Sequence, residues 1–181
     1  MATQGPFTPS ILSTDGSGIV AWNNVNDATI CGGLGFAFAT YGALQFGVSD
    51  YMLGTGFPFV IPIGSTINGI TMSIDRLESG PDVFDTSILI IQGGVAGGVD
   101  HATFVNWPLV EATMTVGGGA DLWGLAWTPA QINAVDFGVQ IAIEKNAGGA
   151  VGGFVNCFTL TVDFTPPTAA SRRGWLLRGC D

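Results

Sequence analysis

The stretch that decides the fold is Phe-Val-Asn-Cys-Phe-Thr-Leu-Thr-Val-Asp-Phe, residues 154–164. In its second half large apolar side chains alternate with Thr or Asp. Successive side chains of a β-strand point to opposite faces, so this period of two predicts a strand with one buried face and one wet face. The predicted buried face consists of Phe158, Leu160, Val162 and Phe164.

Other segments carry the same signal. Residues 67–77 place Ile70, Met72 and Ile74 on one face, with Arg76 continuing that face. Residues 137–143 place Phe137, Val139, Ile141 and Ile143 on one face. Residues 86–91 form a continuous apolar run, which predicts a central strand covered on both sides. Weaker strands are predicted near residues 19–22, 34–39, 43–48 and 109–116.

The composition disfavours long helices, because the chain has 28 glycines and 9 prolines and both residues are poor helix formers. One short helix is predicted at residues 128–131, where Thr128 can cap, Pro129 suits the first helical position and Gln131 can complete a capping box. The fold class is therefore all-β, an antiparallel, jelly-roll-like β-sandwich of about eight strands.

At 181 residues the chain fits one domain. Residues 1–18 are rich in Pro, Ser, Thr and Gly and predict an extended N-terminal arm. Residues 19–165 form the predicted sandwich. The Pro166-Pro167 pair then begins a C-terminal docking tail, residues 166–181.

Charge is unevenly distributed along the chain. Residues 1–171 hold 13 of the 14 acidic residues and two of the five bases, a net charge of −11, whereas the last ten residues carry +2. An acidic body repels phosphates, which excludes a nucleic-acid partner. Residues 27–50 hold no charge between their two terminal aspartates, but five glycines interrupt them and no base flanks them, so no membrane span is predicted.

The chain has three cysteines, Cys31, Cys157 and Cys180, and no Cys-x-x-Cys spacing. An odd number of cysteines, together with an N-terminus that lacks a signal-peptide pattern, predicts reduced thiols and synthesis in the cytoplasm.

Two blocks of sequence resemble a known family. The first contains Phe-Pro-Phe-Val-Ile-Pro at residues 57–62 and a strand that ends in Asp75-Arg76. The second contains Asn-Trp-Pro at 106–108, Asp-Leu-Trp-Gly at 121–124 and Trp-Thr-Pro at 127–129. Together they resemble a β-sandwich domain recurrent in bacteriophage particle proteins. The resemblance implies a virion structural role in a tail, neck or fibre component or in capsid decoration, and it carries over no catalytic residues.

Catalytic triads require a histidine, and the chain has one, His101, in a glycine-rich loop beside Asp100. No nucleophile motif accompanies it, so we predict no enzyme activity, although a glycosidase built from two carboxylates would need no histidine. Glu78, Asp82 and Asp85 form an acidic cluster that lacks EF-hand spacing. The sequence favours a solvated loop there, and no metal or other cofactor is predicted.

Tryptophans suggest another site, since aromatic faces stack on sugar rings and jelly rolls serve as lectins. Packing in the core is the favoured interpretation, because tryptophan is highly buried on average. The residues concerned are Trp22, Trp107, Trp123 and Trp127.

The tail combines bases with large apolar residues, which are enriched at interface hot spots. We expect its apolar residues to fill a groove on a neighbouring subunit while its arginines meet an acidic rim. The alternative is a tail that folds back on its own domain or is disordered. The predicted partner-binding residues are Arg172, Arg173, Trp175, Leu176, Leu177 and Arg178.

These observations lead to one expected function and one alternative. The expected function is a bacteriophage virion structural protein, assembled in the host cytoplasm, that docks to other virion proteins and forms a homo-oligomer. The alternative is a carbohydrate-binding module that contacts host surface glycans. An assembly protein would need no sugar ligand, whereas the module would bind one.

Overall fold

A computed structural model describes residues 1–168. The described chain forms two packed antiparallel sheets, which confirms the predicted all-β sandwich. The first sheet has the order β1-β11-β6-β9, and β3 pairs with another part of β11. The second sheet has the order β2-β5-β10-β7-β8, and β4 pairs with β10. The strands are β1 (Ala2–Phe7), β2 (Ile11–Thr14), β3 (Ala37–Tyr41), β4 (Gly47–Val48), β5 (Met52–Thr55), β6 (Thr66–Glu78), β7 (Val83–Gln92), β8 (Val95–Gly97), β9 (Ala112–Gly118), β10 (Gly138–Lys145) and β11 (Val151–Thr165).

The core lies between the two sheets. Ile70, Met72 and Ile74 of β6 are fully buried, as the alternation of that segment predicts. The second sheet contributes Ile88 and Ile90 of β7 together with three residues of β10, which are Val139, Ile141 and Ile143. β7 lies between β10 and β8, and its Leu89 keeps partial exposure, so one face of this strand is less covered than the sequence predicts.

Gly54 shows why β5 carries so little bulk. A Cβ at this position would lie 2.3 Å from the ring of Phe158, which packs across the core from β11. Only glycine therefore leaves room for that ring. The contact places β5 against the centre of the opposite sheet.

The N-terminal residues belong to the sandwich and do not form a separate arm. β1 pairs with β11, with Ala2 opposite Phe164, and β2 pairs with β5, with Ile11 opposite Thr55. Backbone hydrogen bonds to a neighbouring strand stabilise an extended segment whatever its side chains. This explains how a segment without hydrophobic periodicity becomes two strands, one in each sheet.

The one α-helix among residues 1–168, α1 (Pro129–Ile132), forms where the sequence predicts it. Thr128 accepts from the Gln131 backbone N–H, and the Gln131 side chain accepts from the Thr128 backbone N–H, which completes the capping box. A 3-10 turn spans Val25–Ala28. Within residues 1–168, no helix is both long and apolar enough to cross a membrane.

Candidate ligand-binding face

The outer surface of the first sheet carries rows of hydroxyl side chains. Ser73 of β6 lies opposite Thr115 of β9 and Thr159 of β11, and one row further on Thr71 lies opposite Thr161. Directly opposite residues of antiparallel strands point to the same face. We call this surface the hydroxyl face and define it by Thr71, Ser73, Thr113, Thr115, Thr159 and Thr161, all of them exposed or partly exposed.

Two carboxylates border the hydroxyl face. Thr113 donates to Asp75 at one end, and Thr3 of β1 donates to Asp163 at the other with a distance of 2.6 Å between Oγ1 and Oδ1. Within the face, the hydroxyl oxygens of Ser73 and Thr115 lie 3.2 Å apart. Hydroxyls both donate and accept, whereas ionised carboxylates only accept. The surface therefore offers mixed hydrogen-bonding groups to a polyhydroxylated ligand.

A disulfide bond between Cys31 and Cys157 forms one wall of this face. Cys157 lies opposite Asp75 and so projects from the same side of the sheet. The loop that carries Cys31 is held down further by Asn156, whose side chain accepts from the Gly32 N–H at 2.8 Å and donates to the Gly33 carbonyl at 2.9 Å. This loop consequently stands at the Asp75 end of the rows.

The disulfide corrects the sequence-based expectation of reduced thiols. That expectation treated an odd cysteine count as evidence against any bridge. The fold instead brings Cys31 and Cys157 together across 126 positions of sequence. Spacing along the chain carries no information about such a distant pair, because the contact depends on the packing of a loop against β11.

Beyond the disulfide wall the sheet surface becomes aromatic. Phe154 of β11 lies opposite Leu77 of β6 and Phe38 of β3. The Phe154 ring is 6.0 Å from that of Phe38 and 6.2 Å from that of Phe36. All three rings keep partial exposure. The outer side of the first sheet therefore has an aromatic end and a hydroxyl-rich middle, with the disulfide-bonded loop between them.

The tryptophans lie in the core or against it, as the favoured interpretation of the sequence predicts. Trp22, Trp107 and Trp123 are each at most 5% exposed. Their indole N–H groups donate to the Asp50 carbonyl, the Asp85 side chain and the Ile70 carbonyl. Trp127 packs against Phe137 with the ring centroids 5.3 Å apart. The buried three present no platform to a sugar ring.

His101 has a structural setting. Its ring packs against that of Trp123 with the ring centroids 4.3 Å apart, and its Nε2 lies 3.2 Å from a carboxylate oxygen of Asp121. The neighbouring Asp100 accepts from the backbone N–H groups of Ile88 and Ala102. These contacts fix the loop after β8 along the edge of β7. His101 and Asp100 therefore stabilise the conformation of this loop.

The acidic cluster does not form a cation site. Asp85 points into the core and pairs with Arg76, and Glu78 accepts from the Val83 N–H at 2.8 Å. Burial raises the pKa of Glu78 above its ordinary value. Burial also lowers the pKa of Arg76, although Asp85 opposes the change. The sequence expectation of a solvated loop is therefore wrong for Asp85 and Glu78, which are buried.

One group of side chains within residues 1–168 has metal-ligand spacing. Cys31, Asp75 and Cys157 place one ligand atom each within 4.8 Å of one another. Both sulfurs are joined in the disulfide, so they are not thiolates, the form that binds metal.

The predicted tail residues Arg172, Arg173, Trp175, Leu176, Leu177 and Arg178 lie outside the described residues.

The hydroxyl face was visible in the sequence as wet strand positions, but the sequence did not identify it as a site. Its signal is the repeated alternation of hydroxyl residues at 71 and 73, 113 and 115, and 159 and 161. Only the strand order β9-β6-β11 places these three pairs side by side.

Comparisons with known proteins give matches among solved structures alone. No family model and no curated protein matches the chain. A structure described as CBM4 matches with 16% identity and a TM-score of 0.43, covering 72% of this chain and 85% of the other. A family 11 carbohydrate-binding module from Clostridium thermocellum, in complex with a β-1,3-1,4-mixed-linked tetrasaccharide, matches with 12% identity, a TM-score of 0.43 and coverage of 91% and 96%. The N-terminal cellulose-binding domain of Cellulomonas fimi β-1,4-glucanase C matches with 17% identity, a TM-score of 0.38 and coverage of 93% and 96%.

These findings contradict the expected virion structural role, and that prediction was wrong. The matching structures are carbohydrate-binding modules and not phage particle proteins. The motifs behind the phage resemblance have a physical role in the fold, since Trp107, Trp123 and Phe57 are core residues. Residues that build a common sandwich do not determine what it binds. At these identities and TM-scores, the matches themselves give no argument for a function of this chain.

Proposed function

We propose that the chain is a non-catalytic glycan-binding module that takes a neutral polysaccharide on the hydroxyl face. The observation that carries the proposal is the side-by-side alignment of Thr115, Ser73 and Thr159, with Thr71 and Thr161 in the next row. Strands lie about 4.8 Å apart, so neighbouring hydroxyls have a spacing that one sugar ring can bridge. Rigid strands also hold these groups in place before the ligand arrives, which lowers the entropic cost of binding.

The charge of the surface selects the class of glycan. Residues 1–168 carry a net charge of −11, and the rows are bordered by Asp75 and Asp163. Carboxylates accept strong hydrogen bonds from neutral hydroxyl groups but repel sulfate or uronate groups. The ligand is accordingly a neutral polysaccharide, and sulfated or uronate-rich chains are excluded.

Affinity electrophoresis through gels that contain soluble polysaccharides tests the proposal. The panel includes mixed-linkage β-glucan, xylan and mannan as neutral chains, and a sulfated and a uronate polymer as charged ones. The wild-type protein should be retarded by at least one neutral polymer and by neither charged polymer. Tryptophan fluorescence is a poor readout here, because Trp22, Trp107 and Trp123 are buried away from the face.

A double variant then locates the site. Thr71→Val with Thr161→Val removes two facing hydroxyls and keeps their β-branched shape, so the strands remain intact. Each lost hydrogen bond weakens binding by roughly 0.5–1.5 kcal/mol, and retardation should therefore fall about tenfold. Thr86→Val, on the other sheet, is the matched control and should bind as the wild type does. A wild-type protein that no neutral polymer retards, or a double variant that binds normally, would overturn the proposal.

A further inference from the structure

The end of the sandwich where the described chain stops carries an exposed apolar row. Along residues 57–61, side chains alternate between core and solvent: Phe57, Phe59 and Ile61 are buried, whereas Pro58 and Val60 are exposed. Pro62 and Ile63 extend the exposed row, and Val60 and Ile63 are 74% and 92% exposed. We call this surface the end patch and define it by Pro58, Val60, Pro62 and Ile63.

The end patch is held rigidly. The Gln4 side chain donates to the Val60 carbonyl at 3.1 Å and accepts from the Val60 N–H at 2.9 Å. The Asn133 side chain brackets Ile61 in the same way, at 2.9 and 2.7 Å. Behind the patch, Phe59 packs against Phe7 and Phe137 with centroid distances of 5.2 and 5.8 Å. A pre-organised apolar surface binds with little loss of entropy.

The chain leaves the sandwich beside this patch. A Cβ placed on Gly64 would lie 3.4 Å from Cβ of Pro167, so the last described residues run next to Ile63. Thirteen residues follow, 169–181, and they include Trp175, Leu176 and Leu177. The six residues 169–174 span at most about 20 Å when extended. The apolar residues of the tail are therefore held within reach of the patch.

We propose that Trp175, Leu176 and Leu177 bind the end patch of their own chain. A short linker gives the tail an effective concentration in the millimolar range at this surface, which a neighbouring molecule in dilute solution does not match. The charges are complementary, since the last ten residues carry +2 and residues 1–168 carry −11. An exposed carboxylate, Asp136, lies near the patch. The carbonyl of the preceding residue, Val135, accepts at 2.9 Å from the N–H of Gly56, two residues before Pro58.

Cysteine cross-linking tests the proposal on the full-length protein with its Cys31–Cys157 disulfide intact. Cys180, three residues after Leu177, serves as the handle, and Ile63→Cys supplies its partner in the patch. The matched control is Leu109→Cys, which is also exposed. The neighbouring Pro108 accepts from the N–H of Glu78, the last residue of β6. The tail leaves the sandwich near Thr66, the first residue of β6. The two ends of that strand are about 40 Å apart, so Leu109 is far from the patch. A short bismaleimide is added to each protein at low micromolar concentration, and products are separated by non-reducing electrophoresis and intact mass.

The proposal predicts an internally cross-linked monomer for Ile63→Cys, with a yield at least about fivefold above that of Leu109→Cys. Adding Trp175→Ala to Ile63→Cys should lower this yield at least about threefold, because the largest of the three apolar side chains is lost. Equal yields at positions 63 and 109, or no effect of Trp175→Ala, would show that the tail does not bind the patch. A cross-linked dimer would also overturn the proposal, since the tail would then occupy a neighbouring molecule.

Discussion

Asp85 of β7 connects the two sheets through its side-chain contacts. It is fully buried in β7 and receives hydrogen bonds from Arg76 of β6, from the Trp107 indole N–H at 3.0 Å and from Thr103, whose hydroxyl lies at 2.9 Å. The Arg76 guanidinium also stacks 5.1 Å from the Trp107 ring centroid. One carboxylate thereby joins the two sheets and the long loop between β8 and β9. The pairing satisfies a cation that burial would otherwise destabilise.

Asp85→Asn should lower the free energy of unfolding by about 3–5 kcal/mol, because the buried Arg76 would lose the carboxylate with which it forms an ion pair. Urea denaturation followed by circular dichroism measures the change. Asp136→Asn removes an exposed carboxylate of the same type and should change stability by less than about 0.5 kcal/mol. Equal effects of the two substitutions would contradict a structural role for the buried pair.

Glu78 gives the molecule a pH dependence with a defined sign. Burial raises the pKa of its carboxyl group above the ordinary value of 4.5. Between the unfolded and the folded pKa the native state binds more protons, so its stability falls as the pH rises through that window. Glu78→Gln should reduce this fall when the free energy of unfolding is measured from pH 4.5 to pH 7. Glu111→Gln, at an exposed position, controls for the loss of one negative charge, and an unchanged slope in Glu78→Gln would contradict the mechanism.

At the scale of elements, the sequence predicts those strands whose side chains alternate strongly. β6, β10 and β11 lie where the alternation places them, and their apolar faces are buried. The helix α1 was also predictable, because Thr128, Pro129 and Gln131 form a local capping motif. In each case the information resides in residues close together in the chain.

Elements that depend on a distant partner were missed. β1 and β2 have no hydrophobic period and become strands by pairing with β11 and β5. The β7–β8 hairpin differs from them, because it turns at Gly93-Gly94 with positive φ of 60° and 77°, a pattern that is local in the sequence. For the hydroxyl face, the alternation predicts that Thr71 and Ser73 point outward, but it does not predict which strands lie beside them. Its rows depend on strand order, which local pattern does not encode.

At the scale of the whole molecule, the Cys31–Cys157 disulfide constrains most of the chain. It closes a loop with a sequence separation of 126, so most of the 181 residues lose freedom in the unfolded state. The bridge also fixes the loop at residues 30–35 over the outer surface of the first sheet. Stability and the boundary of the hydroxyl face consequently depend on the same bond.

Replacing both bridged cysteines, Cys31→Ser with Cys157→Ser, should destabilise the fold. Closing a loop of this length removes unfolded-state entropy worth about 4–5 kcal/mol at 25 °C, and loss of a native bridge typically costs about 2–5 kcal/mol. Urea denaturation of the variant and the wild type measures the difference. Cys180→Ser is the matched control and should match the wild type, and a reductant should destabilise the wild type but not the double variant. If the double variant were as stable as Cys180→Ser, the sandwich would be held by its core alone, and the bridge would serve only to position the loop beside Asp75.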